Sequence, residues 1–474
     1  MRAAQTPPAR SPYFADFDHT LLAGNSTELF IAACKPSFLA ALVELLVRRC
    51  IPWRWTGLPQ WFRLRDYACC LCLILLMPWN LLIWRRVAPG LFARLESRMV
   101  AERLRRAGAG RVVIVSFGMA FVIRAMLRGS AWQDCRLIAT PLLPALGRFR
   151  AGKLHLVEGH FSAAEIAHAD FITDSRDDAD LLQAAGRGEL IAPQGPAISA
   201  RERLYLPLRY TAAAKYTRSY VLDQILLVDI LLVALSISVT PGELLAALGF
   251  VPFLTISLMG VYEIGYYEND MVAARREAAP TLKPAAARYR DFPIEPDAWL
   301  WSLATGALGL AGAHWAGMLG SIGLAGGALG WVAMLLVLRA VFYVYNRRPP
   351  GSRILLYPVL NAIKFGPIFF LMEPTKFGVV LAFSQVAMMW VIYITYRYGG
   401  SHNEIRKDNL RFMLFGIGAA LLASSAPFAS LGGLFQLGAI LAWLTLRLCK
   451  APALALLRGR RRQAAGPLAA QSRA

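Results

Sequence analysis

From about residue 222 onward, apolar runs of roughly 20 residues alternate with short polar loops. That is the length a helix needs to cross a bilayer. Eight such runs are legible, at 222–240, 244–262, 297–315, 319–343, 353–371, 377–396, 409–426 and 430–448. They predict an all-α polytopic membrane domain of about eight transmembrane helices over 222–450. The first 220 residues follow another pattern. Short runs rich in β-branched and aromatic residues, at 13–17, 111–116, 135–140, 170–174 and 189–192, predict strands. Helical periodicity fills the gaps, with helices expected at 27–33, 37–49 and 91–106. Strand–helix alternation predicts a parallel sheet, hence an α/β Rossmann-like soluble domain over 13–200. One run there is out of character: 67–84 is almost entirely apolar, with Pro78 and Asn80 predicting a break or hairpin in its middle.

Composition sharpens this division. The chain has 474 residues, is 57% hydrophobic and carries a formal net charge of +21. In a chain with apolar runs of this length, membrane topology and lipid headgroups account for the basic excess, and no nucleic-acid partner is expected. Arg275, Arg276, Lys283, Arg288 and Arg290 mark loop 263–296; Arg347 and Arg348 mark 344–352; Arg397, Arg406 and Lys407 mark 397–408. A basic tail covers 451–474, and a basic, aromatic linker covers 201–221. The positive-inside rule puts all of these on one side. The expectation is a bacterial-type inner or plasma membrane protein with the soluble domain and both termini cytoplasmic. Residues 1–12 read as a loose tail without the apolar core of a signal peptide. Of the seven cysteines, 69, 70 and 72 lie in an apolar run as packing residues, no two separate CxxC motifs occur, and no disulfide framework is predicted.

The candidate chemistry begins at 14–22, FADFDHTLL, where Asp16 and Asp18 stand two residues apart at the end of the first predicted strand. Two carboxylates that close need a cation or a shared proton. Ser116 and Asp174 end two further predicted strands, and Asp178 follows in SRDDADLL. In parallel sheets, sites form beyond the carboxyl ends of the strands. These stretches resemble the haloacid dehalogenase superfamily, closest to its phosphoserine-phosphatase-like branch. Asp16-Phe-Asp18-His-Thr20 resembles the first motif, Ser116 the second and Asp174 to Asp178 the fourth. Lys153 is the candidate for the third, with Arg148 and Arg150 as neighbours, and Thr173 departs from the family's usual Gly.

The resemblance implies that Asp16 attacks a phosphoryl group and Asp18 serves as acid and then base. It implies that Thr20, Ser116 and Lys153 hold phosphate oxygens, and that Asp16, Asp18, Asp174 and Asp178 surround Mg²⁺. It makes 22–110 a helical cap. The run at 67–84 cannot be a single crossing, because Asp16 precedes it and Ser116 and Asp174 follow it. It is expected to lie in the bilayer interface or against the membrane domain, with a buried cap helix as the alternative.

In the membrane half, the stretch 262–284 carries Glu263, Tyr266, Tyr267, Asn269, Asp270 and Arg275 after the second run. Ionisable residues at membrane depth are functional candidates, and Lys364 lies within the fifth run. These residues resemble the first aspartate-rich motif of UbiA-type intramembrane prenyltransferases, with Tyr262 and Tyr266 where the family has Asn and Asp. Tyr343, Asn346 and Arg347 resemble its Tyr…Lys-Arg element, and Glu404 with Asp408 its second motif. The resemblance implies a polyprenyl lipid substrate and transfer between it and a polar partner. One branch of that family transfers phosphoribose to polyprenyl phosphate. Its product still carries a phosphate monoester, a small phosphorylated substrate for a fused phosphatase. Prenylation of an aromatic acceptor is one alternative. A catalytically silent, lipid-binding membrane anchor that serves the phosphatase is another.

Overall fold

The computed structural model describes residues 11–464 apart from 145, 196–198, 216–218, 277–281, 288, 290–291, 402–403, 423–427 and 429. The expected landmarks Arg218, Pro280, Thr281, Arg288, Arg290 and Pro427 therefore lie outside the described residues, as do 1–10 and 465–474 of the two tails. The chain forms two compact units, Met1–Tyr205 and Leu206–Ala474.

The N-terminal unit holds a five-stranded parallel sheet in the order β3-β2-β1-β4-β5. The strands are β1 (Tyr13–Asp16), β2 (Val112–Met119), β3 (Arg136–Thr140), β4 (Asp170–Thr173) and β5 (Arg187–Leu190). All five match expected runs within a few residues. Strand β1 is central, paired with β2 on one side and β4 on the other. Its side chains Phe14 and Ala15 are fully buried, as suits a strand covered on both faces. Phe14, Val113, Val115, Ile138, Leu156, Val157 and Phe171 form the core of one face.

Between β1 and β2 lie α1 (Ser26–Ala33), α2 (Ser37–Cys50), α3 (Trp61–Leu76), α4 (Asn80–Leu95) and α5 (Arg98–Ala107). The single helix expected at 91–106 is two, because the chain turns extended at Glu96. Glu96 holds that turn with both carboxylate oxygens. One accepts from the Trp132 indole at 2.6 Å and the other from Arg105 at 3.0 Å. The apolar run 67–84 is a helical hairpin, α3–α4, broken at 77–79 as Pro78 predicts. Asn80, 1% exposed, ties the turn down: its amide oxygen accepts from the Lys35 backbone N–H and its NH₂ donates to the Lys35 carbonyl. One face of the hairpin is buried through Cys69, Cys70, Leu73 and Trp84. Leu75, Leu76, Trp79 and Leu82 are exposed at its tip. Helix α6 (Ala120–Leu127) follows β2; α7 (Lys153–Glu158), α8 (Ala163–Ala167) and α9 (Ala179–Ala184) flank β4. The basic segment from 201 is ordered at its start: Arg201 is buried, within 3.5 Å of Glu44 and 3.2 Å of Asp66.

The C-terminal unit is mostly helical. A π-helical stretch, Val221–Ile230, runs into α10 (Leu231–Ile237). Then come α11 (Pro241–Arg276), α12 (Pro284–Ala287), α13 (Ile294–Trp315), α14 (Gly323–Arg347), α15 (Arg353–Ala362), α16 (Gly366–Met372), α17 (Lys376–Arg397), α18 (Lys407–Leu421) and α19 (Leu431–Ala464). The eight apolar runs fall on helical segments, the first across the π-helical stretch and α10 and the fifth across α15 and α16; 423–426 of the seventh lie outside the described residues. Among the described residues, five stretches are long and apolar enough to cross a membrane: Pro241–Arg275, Gly323–Arg347, Arg353–Met372, Lys376–Arg397 and Leu431–Cys449. The protein therefore has the character of a membrane protein. The run at 409–426 gives a helix of only 15 residues. The fifth is interrupted between α15 and α16, where Lys364 sits.

Candidate active site

The strand ends place the acids. Asp16 is the last residue of β1 and is 5% exposed. His19 takes a left-handed φ of 56°, uncommon for a non-glycine residue, and the turn that follows brings Asp18 and Thr20 back over the sheet end. Asp18 is half-buried and accepts from the Ser26 backbone N–H at 2.5 Å and from the Ser116 hydroxyl at 3.4 Å. Ser116 also accepts from the Gly118 N–H at 2.9 Å. A Cβ on Gly118 would stand 3.1 Å from Ser26 Oγ and 3.2 Å from Ser116 Oγ, so a side chain there would crowd this corner.

Lys153 is the buried cation of the site. It is 3% exposed, with Nζ at 2.6 Å from Asp16 and 2.7 Å from Asp178. Neither Arg148 nor Arg150 takes that place: Arg148 reaches Thr140 at 3.5 Å, and Arg150 is exposed. Thr173, the residue that departs from the resembled pattern, joins the same group. Its hydroxyl lies 2.6 Å from Asp178 and 3.1 Å from Asp16. One hydroxyl carries one proton, so it donates to the nearer Asp178, and its contact with Asp16 is best satisfied when Asp16 is protonated. The electrostatics agree. Burial pushes the Asp16 carboxyl up to about 7, opposed by Lys153 and assisted by the neighbouring Asp178. Burial likewise raises Asp18, against the hydrogen bond from Ser26. Burial works against the Lys153 ammonium, but its two carboxylates more than offset that and hold its pKa above the ordinary value.

Asp174 faces Thr20. The Thr20 hydroxyl donates to its carboxylate at 3.1 Å and accepts from its backbone N–H at 3.0 Å. Thr20 thus positions Asp174 in this structure. Among the described residues no three of His, Cys, Asp and Glu stand close enough together to hold a metal ion. Magnesium asks for less, often one or two carboxylates completed by phosphate and water. The donors here are all hard oxygens, and two of the carboxylates, Asp16 and Asp178, meet at one buried ammonium. The group fits Mg²⁺ in donor type and charge, with substrate oxygens needed to complete the number.

One residue that sequence reasoning passed over enters from the cap. A cavity of about 170 Å³ is lined by Asp18, Arg63, Tyr67, Phe117 and Thr140. Arg63, from the first turn of α3, lies with its guanidinium carbon 3.4 Å from the centre of the Phe117 ring. Its buried Nη1 has no hydrogen-bond partner. Burial lowers its pKa against the pull of Asp178 and Asp177. In sequence, Arg63 is one of five basic residues flanking the apolar run, with Arg54, Arg65, Arg85 and Arg86, and nothing local separates it from the others.

The sequence-predicted residues of the C-terminal unit fall into separate clusters. Glu263, fully buried, accepts from the backbone N–H groups of Leu208 at 2.9 Å and Thr211 at 2.6 Å. Asp270 accepts from the Tyr210 hydroxyl at 2.6 Å and pairs with Lys215. Tyr267 packs edge-on against Tyr210, and Tyr266 against Tyr262. Lys364 lies 4.8 Å from the Tyr262 ring centre. Asn269 is half-buried and Arg275 exposed. Glu268 pairs with Arg339 at 2.7 Å and Arg347 at 2.9 Å. Asn346 donates to the Gly265 carbonyl, and Arg347 stacks on Tyr343. Glu404 caps its own turn through the Ser401 N–H. Asp408 pairs with Arg411 and Arg447. Neither Glu404 nor Asp408 touches the acids of α11. Arg339, the partner of Glu268, went unread, although it lies inside an apolar run as Lys364 does. The chain has no significant match among protein-family models, curated proteins or solved structures.

Proposed function

We propose that the N-terminal unit is a phosphatase of the haloacid dehalogenase type that hydrolyses phosphate monoesters through Asp16. The observation that carries this reading is the buried Asp16–Lys153–Asp178 group at the end of the central parallel strand, beside a cavity that Asp18 lines. An oxygen of Asp16 forms a bond to phosphorus as the ester P–O bond breaks. Asp18, its carboxyl raised by burial, gives its proton to the leaving oxygen. It then takes a proton from the water that cleaves the aspartyl-phosphate. Lys153 and Ser116 hold the phosphoryl oxygens. Thr20 keeps Asp174 in place, and Thr173 fixes the spacing of Asp16 and Asp178. A magnesium ion, taking one or two of the carboxylates of Asp16, Asp174 and Asp178 and completed by substrate oxygens and water, would supply charge neutralisation when bound. Arg63 reads a second anionic or polar group of the substrate through its unpartnered Nη1. Asp16→Asn in the full-length protein is expected to lose release of phosphate from p-nitrophenyl phosphate. Release at the wild-type rate would overturn the reading.

We propose further that the C-terminal unit is a UbiA-like domain with eight spans, its basic loops and the phosphatase on the cytoplasmic side, that binds a polyprenyl phosphate or diphosphate. In the first version it transfers a group between that lipid and a polar acceptor, phosphoribosyl transfer to polyprenyl phosphate included. A second reading, a lipid-binding anchor without catalysis, is favoured by one observation: Glu263, Glu268, Asp270 and Asp408 are each engaged by the unit's own polar or basic groups. Purified protein given labelled polyprenyl phosphate and a ribosyl diphosphate donor separates the two. Transfer that survives in Asp16→Asn supports the first version; no transfer by the wild type, with phosphate release retained, supports the second.

A further inference from the structure

The N-terminal unit has a second cavity, larger than the one that Asp18 lines. It measures about 920 Å³ and lies between the α3–α4 hairpin, α6 and β3. That volume is at the upper end of small-molecule sites. Ile74, Leu82, Phe121, Leu127 and Leu137 give it apolar walls. Its polar lining is one-sided: Arg85, Arg124, Arg128 and Arg136 line it and no carboxylate does. Among the described residues, Arg85, Arg124 and Arg128 enter no ion pair, while Arg136 lies over the Phe161 ring. Arg124 and Arg128 are four residues apart at the end of α6, so they share one face. The lip of the cavity is the hairpin tip, where Leu75, Leu76, Trp79 and Leu82 are 71, 63, 47 and 64% exposed.

An apolar slot ringed by unpaired arginines is complementary to an amphiphile with an anionic head. An exposed Leu/Trp tip followed by arginines is the composition of a segment that rests in the headgroup layer. We propose that this cavity holds one anionic lipid of the bilayer, its hydrocarbon chain between the hairpin and α6 and its headgroup on Arg124, Arg128 and Arg85. The site is separate from Asp16 and does not depend on the phosphatase reading. It ties the N-terminal unit to the membrane surface through a lipid.

The test uses the full-length protein in phosphatidylcholine nanodiscs doped with a phosphatidic acid that carries a diazirine midway along one chain. The same diazirine chain on phosphatidylcholine is the control. After irradiation and digestion, the phosphatidic acid probe is expected to label segments 74–85 and 121–137. Its yield there should exceed the control by about fivefold for each arginine engaged. The double variant R124E/R128E should bring labelling down to the control level. Ala125→Trp, which fills the cavity, should remove labelling by both probes. Equal labelling of the two segments by both probes in the wild type, or labelling absent from them, overturns the proposal. Where a variant does not fold, the wild-type comparison of the two probes decides alone.

Discussion

In the N-terminal unit, buried charges from distant parts of the chain meet. Asp16, Lys153 and Asp178 come from β1, α7 and the turn after β4, and a cavity opens beside them. In the C-terminal unit the acids are dispersed, Glu263 and Asp270 buried and Glu268 and Asp408 half-buried. Glu263 takes two backbone amides, Asp270 a tyrosine and a lysine, Glu268 two arginines and Asp408 two arginines. The first arrangement leaves charge uncompensated: two carboxylates, Asp16 and Asp178, share one ammonium, and a guanidinium nitrogen has no partner. The second gives Glu263, Glu268, Asp270 and Asp408 each its own local partners. A group of buried charges that does not cancel is costly unless a ligand completes it, so imbalance points to a site. Local balance points to structure, since a buried charge paired and hydrogen-bonded is how an apolar environment tolerates it.

That contrast can be broken most sharply at Asp16. Asp16→Asn is expected to lower phosphate release by on the order of a thousandfold or more, read as phosphate liberated per minute. Asp270→Asn should leave that rate within about twofold of wild type, as a residue outside the site does. Next in size is the stability comparison. Lys153→Met strands two buried carboxylates and should destabilise the N-terminal unit by about 3–5 kcal/mol. Asp270→Asn keeps a partner for Tyr210 and leaves the partly exposed Lys215 to solvent, so it should cost about 1–2 kcal/mol. Thermal unfolding in one detergent, with both variants side by side, checks the order. Equal losses would mean that the two units treat buried charge alike.

Arg63→Ala sharpens what the cavity is for. With a doubly anionic phosphate monoester substrate, KM should rise about tenfold or more, the loss of a hydrogen bond to a charged group, while kcat changes little. An unchanged KM would return Arg63 to a packing role on Phe117.

The pH dependence follows from the raised Asp16 carboxyl. A carboxyl raised from its ordinary value to about 7 is protonated below that pH, and a protonated Asp16 cannot attack phosphorus. The rate should fall about tenfold per pH unit below 7. The stability sign is the reverse. A raised acid contributes stability that is complete below its unfolded value near 4 and is lost as pH rises through about 7. Unfolding of the N-terminal unit should therefore move to lower temperature between pH 5 and pH 8. That shift should shrink in Asp16→Asn.

The legibility of the two units differs for physical reasons. Strands β1, β2 and β4 are readable because a buried parallel strand is apolar through its middle, as 13–15, 112–115 and 171–172 are. The break at Pro78 is readable because proline cannot continue the hydrogen-bond ladder. The turn at Glu96 is not readable: helical periodicity runs straight through 91–106, and the bonds that stop the helix come from Trp132 and Arg105. Arg63, Thr173 and Arg339 stayed hidden in the same way. Each acts on a partner more than 70 residues away, Asp16 from Thr173 and Glu268 from Arg339, or, for Arg63, on a cavity assembled from β2, β3 and the cap.

By itself, the sequence determined the two-part division, the parallel sheet, the apolar runs long enough to cross a bilayer, and the placing of Asp16 and Asp174 at strand ends; Ser116, expected at an end, lies inside β2, which runs on to Met119. Those follow from local rules of periodicity, length and alternation, which act within a few residues. Only the tertiary structure decided that Lys153 rather than Arg148 or Arg150 neutralises Asp16, that Thr173 spans Asp16 and Asp178, and that Asp270 answers to Tyr210 and Lys215. It also decided that 67–84 is a hairpin with one buried face and an exposed apolar tip. Those outcomes turn on which side chains meet across the fold, and burial makes the meeting decisive, because a charge removed from water must find its partner inside.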